Sequence, residues 1–322
     1  MKKKIRIKLV DGFEDVIGKE HEFFKALEER YDIEFSETPD YLLCSCFSGE
    51  FLKYDCIKIV VMAENITPDF NLYDYAIGFD HIAYGDRYLR LPNYVYYCDA
   101  FKSAGQKHFR DDKYFLEKKK FCNFIYSNNK ACDKIRNEFF LRLSEYKKVD
   151  AGGKVYNNIG YRVKNKREFQ EEYKFSIAFE NSRKEGYTTE KIIQAWAAGT
   201  IPIYWGNTDI GKEFNSKAFI NLQSFESEEE CIKFIKKVDQ DEQLYLNIQK
   251  QPIFEKGSLA ERYYENPEMF IDFLSLIFDK PIEEAKKIYN VSCGYNKWYM
   301  KVINKGWRTR TICKSIYQKI KK

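Results

Sequence analysis

Residues 175–206, FSIAFENSRKEGYTTEKIIQAWAAGTIPIYWG, restrict the possible folds more than any other part of the chain. A short apolar run predicts a strand over 174–179, and a second run predicts one over 200–205. Between them, residues 189–198 place Ile192, Ile193, Trp196 and Ala197 on one helical face. Gly199 ends that helix. Strand, helix and strand in so few residues form a parallel crossover. Unbroken apolar runs mark strands covered on both faces, so the unit belongs inside an α/β sheet.

The rest of the chain repeats the alternation. Strands are predicted over 5–10, 33–35, 41–47, 56–62 and 75–79, with a helix over 20–30 carrying Phe23, Phe24, Ala26 and Leu27. A new unit starts with a strand over 120–126. A helix over 130–146 follows, with Ile135, Phe139, Phe140 and Leu143 on one stripe. The Gly- and Asn-rich stretch 151–161 reads as a domain junction. Later helices are predicted over 228–238, with Ser227 as N-cap, and over 267–278. The fold class is therefore α/β with doubly wound sheets. A length of 322 residues suits two domains, 1–150 and 151–290, with a tail over 291–322.

Composition removes several classes. Hydrophobic residues make up 44% of the chain, too many for wholesale disorder. No stretch approaches the roughly 20 apolar residues that span a bilayer. The basic start alternates into a strand instead of an apolar signal core, which leads us to expect a cytoplasmic protein. The nine cysteines form no disulfide framework, and Cys44 and Cys46 read as core thiols. His21, His81 and His108 lie far apart in sequence, so no metal site is expected. The string Asp239-Gln240-Asp241 reads as solvated surface at a helix end.

Ligands of open α/β sheets bind beyond the carboxyl ends of the strands. Glu180, Asn181 and Ser182 stand at such an end. Thr188 or Thr189 suits the N-cap of the next helix, whose first turn holds Glu190 and Lys191. A lysine there opposes the helix dipole unless an anion accompanies it, and a nucleotide diphosphate would supply one. An ordinary crossover with exposed charges gives the same pattern, and these residues do not name a nucleotide.

The same segment resembles the donor-binding region of the α-1,3/1,4-fucosyltransferases: Phe-Glu-Asn-Ser at 179–182, Tyr-x-Thr-Glu-Lys at 187–191, then Ile-Pro-Ile-Tyr-Trp-Gly at 201–206. Further blocks agree in order. Ala63-Glu64-Asn65 is similar to that family's Gly-Glu-Asn, with Ala63 in place of glycine. The blocks 74–79, 87–92, 121–128 with Arg136, and 152–158 follow. The resemblance spans residues 40–225. It implies a GT-B fold, with two Rossmann-like domains facing across a cleft, and an inverting transfer from GDP-β-L-fucose to a glycan hydroxyl, O3 of GlcNAc or glucose.

Glu64 is then the expected general base. Glu190 is expected to bond ribose or fucose hydroxyls or to stabilise charge at the anomeric carbon. Arg136 and Lys191 face the diphosphate, and Ser127, Asn128, Glu180, Asn181 and Tyr187 complete the donor site. Asp11 and Phe13, within Asp11-Gly12-Phe13-Glu14, are expected on an acceptor loop beside Glu64. With cations supplied by the protein, no metal cofactor is required. Another GT-B nucleotide-sugar transferase and a non-catalytic glycan-binding module are the competing readings.

Residues 297–322 hold nine basic and no acidic residues, which leaves the remainder net acidic. Trp298, Val302, Ile303, Trp307, Ile312, Ile316, Tyr317 and Ile320 interleave with the cations. The segment reads as a basic amphipathic tail lying on anionic membrane, with lipid-linked glycans as fitting acceptors. Nucleic-acid binding and a plain solvated tail are the other readings of this charge.

Overall fold

A computed structural model describes residues 2–129, 132–288, 299, 301–307, 309–310 and 313. The chain divides into two units: residues 1–78, 82–91 and 268–322, and residues 79–81 with 92–267.

The first unit is built on six parallel strands: β1 (Lys4–Val10), β2 (Asp32–Phe35), β3 (Tyr41–Cys44), β4 (Ile57–Val61), β5 (Tyr75–Gly78) and β6 (Tyr88–Arg90). Their order is β2-β1-β3-β4-β5-β6. β3 and β5 are buried along their whole length, as their unbroken apolar sequences require. The helix Glu22–Arg30 starts where His21 Nδ1 accepts the Phe23 N–H at 3.2 Å, and it buries Phe23, Phe24 and Leu27. The helix Met269–Phe278 returns to this unit. Phe270 stacks on Phe23 at 4.8 Å, Phe278 meets Tyr41 at 4.7 Å, and Arg30 bonds Asp272 at 2.9 Å.

The second unit holds five parallel strands: β7 (Lys120–Phe124), β8 (Val149–Ala151), β9 (Tyr173–Phe179), β10 (Ile201–Trp205) and β11 (Ile220–Asn221), in the order β11-β10-β9-β7-β8. A buried polar chain pins the β7–β9 register. Ser176 Oγ donates to Asn123 Oδ1 and Gln170 Nε2 donates to Ser176 Oγ, both at 2.7 Å. Slipping by one residue would leave these groups buried without partners. The crossover read from residues 174–205 is present as β9, the helix Glu190–Ala197 and β10.

The structure differs from the sequence reading at several points. The two compact units part at residues 79–92 and 267–268, where the sequence reading drew bounds at 150 and 290. The Gly- and Asn-rich stretch that suggested a junction instead follows β8 inside the second sheet, and composition does not distinguish a loop within a sheet from a linker. The helix expected over 130–146 runs Ile135–Tyr146, with Lys130 and Ala131 outside the described residues. Asp239 is not solvated: its buried carboxylate pairs with Lys147 at 3.0 Å and Lys174 at 3.2 Å, while Asp241 caps the next helix through the Leu244 N–H.

Most of the tail lies outside the described residues. Residues 301–307 are helical, and Trp307 lies so close to Gly49 that a Cβ there would come within 2.6 Å of the indole. Among the described residues, no helix is long and apolar enough to cross a membrane.

Candidate active site

The centre of the site is the exit of β9. The Glu180 N–H donates to the Trp205 carbonyl at 2.8 Å, which brings Gly206 against the Glu180 side chain. Gly206 has φ 150°, and a Cβ there would lie 2.5 Å from Glu180 Cγ, so only glycine fits. The fully buried Glu180 carboxylate accepts the Thr189 N–H at 2.8 Å, the Thr189 hydroxyl at 2.7 Å and Lys191 Nζ at 3.1 Å. Lys191 also donates to Thr189 Oγ1 at 2.8 Å. Thr189 thus occupies the expected N-cap position without capping, because its hydroxyl is turned to Glu180.

The anion that reconciles Lys191 with the helix dipole is therefore a protein carboxylate. Burial works against the Lys191 ammonium, but Glu180 and Glu190 outweigh it and raise its pKa above the usual lysine value. Burial likewise pushes Glu180 up, and Lys191 counters it. Glu180, expected at the donor, accepts from Thr189 and Lys191 and so positions the lysine.

The next residue serves a second cation. Asn181 Oδ1 accepts from Arg136 Nη1 at 2.8 Å, and Arg136 Nη2 donates to the Asn128 backbone carbonyl. The guanidinium lies over the Tyr126 ring, 4.2 Å from its centroid. That ring is fixed by its hydroxyl, 3.0 Å from the carbonyls of Ile177 and Phe179. Arg136 is 1% exposed, its Nε has no partner, and among the described residues no carboxylate forms an ion pair with it. A buried cation held only by neutral groups is costly, which makes Arg136 a candidate position for an anion. Ser127 stands exposed beside Asn128.

Glu190 lies 3.7 Å from Lys191 Nζ. Burial pushes its carboxyl up, but Lys191 and Lys166 together hold it below the usual glutamate value. Tyr187 is buried with its ring edge-on to Phe79 at 5.0 Å. The fold adds three residues that the sequence did not single out. Lys166 donates to Gln194 Oε1 at 2.6 Å. The Tyr97 phenol, pushed up to about 12 by burial and by Glu190, lies near that carboxylate. Asn207 ties the loops before and after the crossover: Oδ1 accepts the N–H groups of Gly186 and Asp209 at 2.7 and 2.8 Å, and Nδ2 donates to Thr188 Oγ1 at 2.9 Å. Only Asn207 carried a local signal, as a buried polar residue directly after an apolar strand and glycine.

In the first unit, Glu64 follows β4 on a half-buried turn whose carbonyl accepts the Ile66 N–H at 2.7 Å. Asp11 and Phe13, expected on an acceptor loop, are both buried. Asp11 is 4% exposed, and its carboxylate accepts the Ser48 hydroxyl and the N–H groups of Glu50 and Phe51 at 2.8 and 3.0 Å. Phe13 is fully buried, its ring edge-on to Phe24 at 6.3 Å. A polar turn next to a strand end looks the same in sequence whether it binds a ligand or its own backbone. Folding also brings His81 to Glu185 and Asp209, with ligand atoms within 4.8 Å of one another. There Asp209 already pairs with Lys212 at 2.5 Å.

With this geometry in hand, comparison with known proteins is direct. The family model "Alpha-(1,3)-fucosyltransferase FucT N-terminal domain" matches residues 7–97, and "Glycosyltransferase family 10 (fucosyltransferase) C-term" matches residues 115–250. An alpha-(1,3)-fucosyltransferase of Helicobacter pylori is 33% identical over 304 residues, 82% of this chain and 62% of that protein. A putative fucosyltransferase of Acanthamoeba polyphaga mimivirus is 34% identical over 196 residues, 56% of this chain and 30% of that protein. The chain thus spans under two thirds of the length of these relatives. A crystal structure of an alpha1,3-fucosyltransferase with GDP-fucose aligns with a TM-score of 0.72 at 30% identity, covering 91% of this chain and 94% of the other. The fold class is GT-B, built from two parallel-sheet α/β units.

Proposed function

The chain belongs to the fucosyltransferases of glycosyltransferase family 10, and from that premise we propose that it moves L-fucose from GDP-fucose to a hydroxyl of a glycan acceptor, giving an α-1,3-fucoside. The observation that carries this reading is Arg136, a buried guanidinium bonded to an amide and a carbonyl with no carboxylate partner among the described residues. Burying an uncompensated charge is costly, and a diphosphate returns that cost on binding. Lys191 is held by Glu180, the residue directly before Asn181.

The transfer is one in-line displacement. The acceptor oxygen bonds to the anomeric carbon as the bond from that carbon to the β-phosphate oxygen breaks. The acceptor proton passes to Glu64, and the electron pair leaves with GDP. Arg136 and Lys191 stabilise the growing charge on the diphosphate, the task for which other transferases use a metal ion. Glu190 and Asn181 orient the donor. We take the acceptor to be an oligosaccharide or lipid-linked glycan, with O3 of GlcNAc or glucose as nucleophile. The same reading puts the protein in the cytoplasm, peripheral on the inner membrane face through basic residues 297–322.

A thermal-shift series tests the donor, since a ligand that binds only the native state raises the melting temperature. GDP and GDP-fucose should stabilise the protein and UDP should not. Stabilisation by UDP alone would assign a different nucleotide sugar. Stabilisation by neither nucleotide would remove the transferase reading. Linkage analysis of the product from a GlcNAc-containing acceptor tests the α-1,3 bond.

A further inference from the structure

On the helix Glu190–Ala197, Ile192, Ile193, Ala195, Trp196 and Ala197 are buried, and only Glu190, Lys191 and Gln194 keep exposed surface. Lys191 is committed to Glu180. Glu190 and Gln194 are four residues apart, so they lie one above the other on the same helical face. Lys166, the first residue of the helix Lys166–Glu171, reaches this face from outside the crossover and donates to Gln194 Oε1 at 2.6 Å.

That contact has a chemical consequence. An ammonium group only donates, so it fixes which end of the Gln194 carboxamide is oxygen. With Oε1 occupied, the amide offers its two N–H donors to a ligand, and Glu190 offers acceptor oxygens one turn away. A donor beside an acceptor complements adjacent sugar hydroxyls, each of which both donates and accepts. We propose that Lys166 is a positioning residue of the donor site, holding Gln194 and Glu190 as a donor–acceptor pair that binds adjacent hydroxyls of the nucleotide sugar. The inference rests on the transferase reading above and adds a binding element to it. Electrostatics agree, because Lys191 and Lys166 both keep Glu190 ionised. Burial lowers the pKa of Lys166 itself, Glu190 supports its charge and Lys191 opposes it.

Direct binding of GDP-fucose and GDP to the full chain tests this by calorimetry. Lys166→Met should weaken GDP-fucose about tenfold, as expected for one charge-assisted contact. Lys166→Arg should recover most of the loss. Gln194→Leu should cause a similar loss, and the double variant no more than either alone, because the lysine acts through the amide. A loss shared by GDP assigns the pair to the ribose, and a loss confined to GDP-fucose assigns it to the fucose. Removing Lys166 lets the Glu190 pKa rise, so the acid limb of donor binding should move to higher pH in Lys166→Met and stay in place in Lys166→Arg. A purely structural lysine would not move that limb. Unchanged affinity and pH limb in Lys166→Met, or fully additive losses, would overturn the assignment while leaving the transferase reading intact. Absence of any GDP or GDP-fucose binding by the unaltered protein would overturn both.

Discussion

Arg136 and Lys191 are held by two consecutive residues: Asn181 accepts from the guanidinium at 2.8 Å and Glu180 from the ammonium at 3.1 Å. One cation has a neutral partner and the other a carboxylate. The pair therefore divides the work at the end of β9, with Arg136 carrying uncompensated charge for a ligand and Lys191 fixed in place before any ligand arrives.

The two cations should consequently fail in different ways. Lys191→Ala leaves Glu180 buried without its counter-ion, a loss of about 3–5 kcal/mol for such pairs. It should lower the melting temperature as well as GDP affinity, and adding Glu180→Gln should restore much of the stability but not the affinity. Arg136→Met should lose GDP affinity with a much smaller change in melting temperature. Equal destabilisation by both substitutions would show that Arg136 is a structural cation.

Asp11 should prove structural. Asp11→Ala removes the acceptor of the Glu50 and Phe51 N–H groups, a loss of about 1–2 kcal/mol by analogy with helix caps. The residue also has φ 58°, which Asp tolerates better than Ala. The variant should melt earlier, with KM for the acceptor unchanged once the protein is folded. A raised acceptor KM at unchanged melting temperature would return Asp11 to the binding site.

What could be read from sequence follows the range of the interactions. The parallel strands were legible because burial on both faces leaves a local apolar run, as in Tyr41–Cys44 and Ile57–Val61. The edge strands Val149–Ala151 and Ile220–Asn221 were not, being too short for any period. Arg136, Asn181, Glu190 and Lys191 were singled out because they sit at helix starts and strand ends with recognisable neighbours. Lys166 and Tyr97 were missed because their partners Gln194 and Glu190 lie far away in sequence. Sequence likewise shows Glu180 as a carboxylate at a strand end, but not that Thr189 and Lys191 bond its oxygens.

Lys107 gives the second unit a pH-dependent term. It is fully buried, donates to the Gln249 carbonyl at 2.6 Å, and burial with some help from Arg110 pushes its pKa down to about 7. Between pH 7 and the ordinary lysine value of 10.5 the unfolded chain holds this proton and the folded chain does not. The unfolded state binds more protons there, so stability from this group rises with pH across that window, and its cost is fully present below pH 7. Lys107→Met should therefore raise the melting temperature more at pH 6 than at pH 10. A gain independent of pH would mean that the folded amine is charged over the same range as the unfolded one.

Metal removal should leave transfer intact. In the proposed mechanism Arg136 and Lys191 supply the charge that a divalent ion would bring to the leaving diphosphate. The His81, Glu185 and Asp209 group is spoken for in part by Lys212. Activity should persist in excess EDTA. Complete loss restored by manganese would reassign leaving-group stabilisation to a metal, with His81→Ala as the next variant to assay.

Glu64 offers the sharpest test of the division of roles between the units. It follows β4 in the first unit, whereas Arg136, Asn181, Glu190 and Lys191 all belong to the second. Glu64→Gln keeps the size of the side chain and most of its hydrogen bonds but cannot take the acceptor proton. General-base catalysis contributes about 10²–10⁴-fold, so turnover should fall at least roughly a hundredfold. GDP-fucose affinity, measured by calorimetry without acceptor, should change little. Slow hydrolysis of the donor should fall as well, because water needs the same base. Near-normal transfer by the variant would make Glu64 structural and move the search for the base to Glu190, the carboxylate beside Lys191. Collapse of GDP-fucose binding along with turnover would show instead that Glu64 holds the donor, and that the acceptor proton leaves by another route.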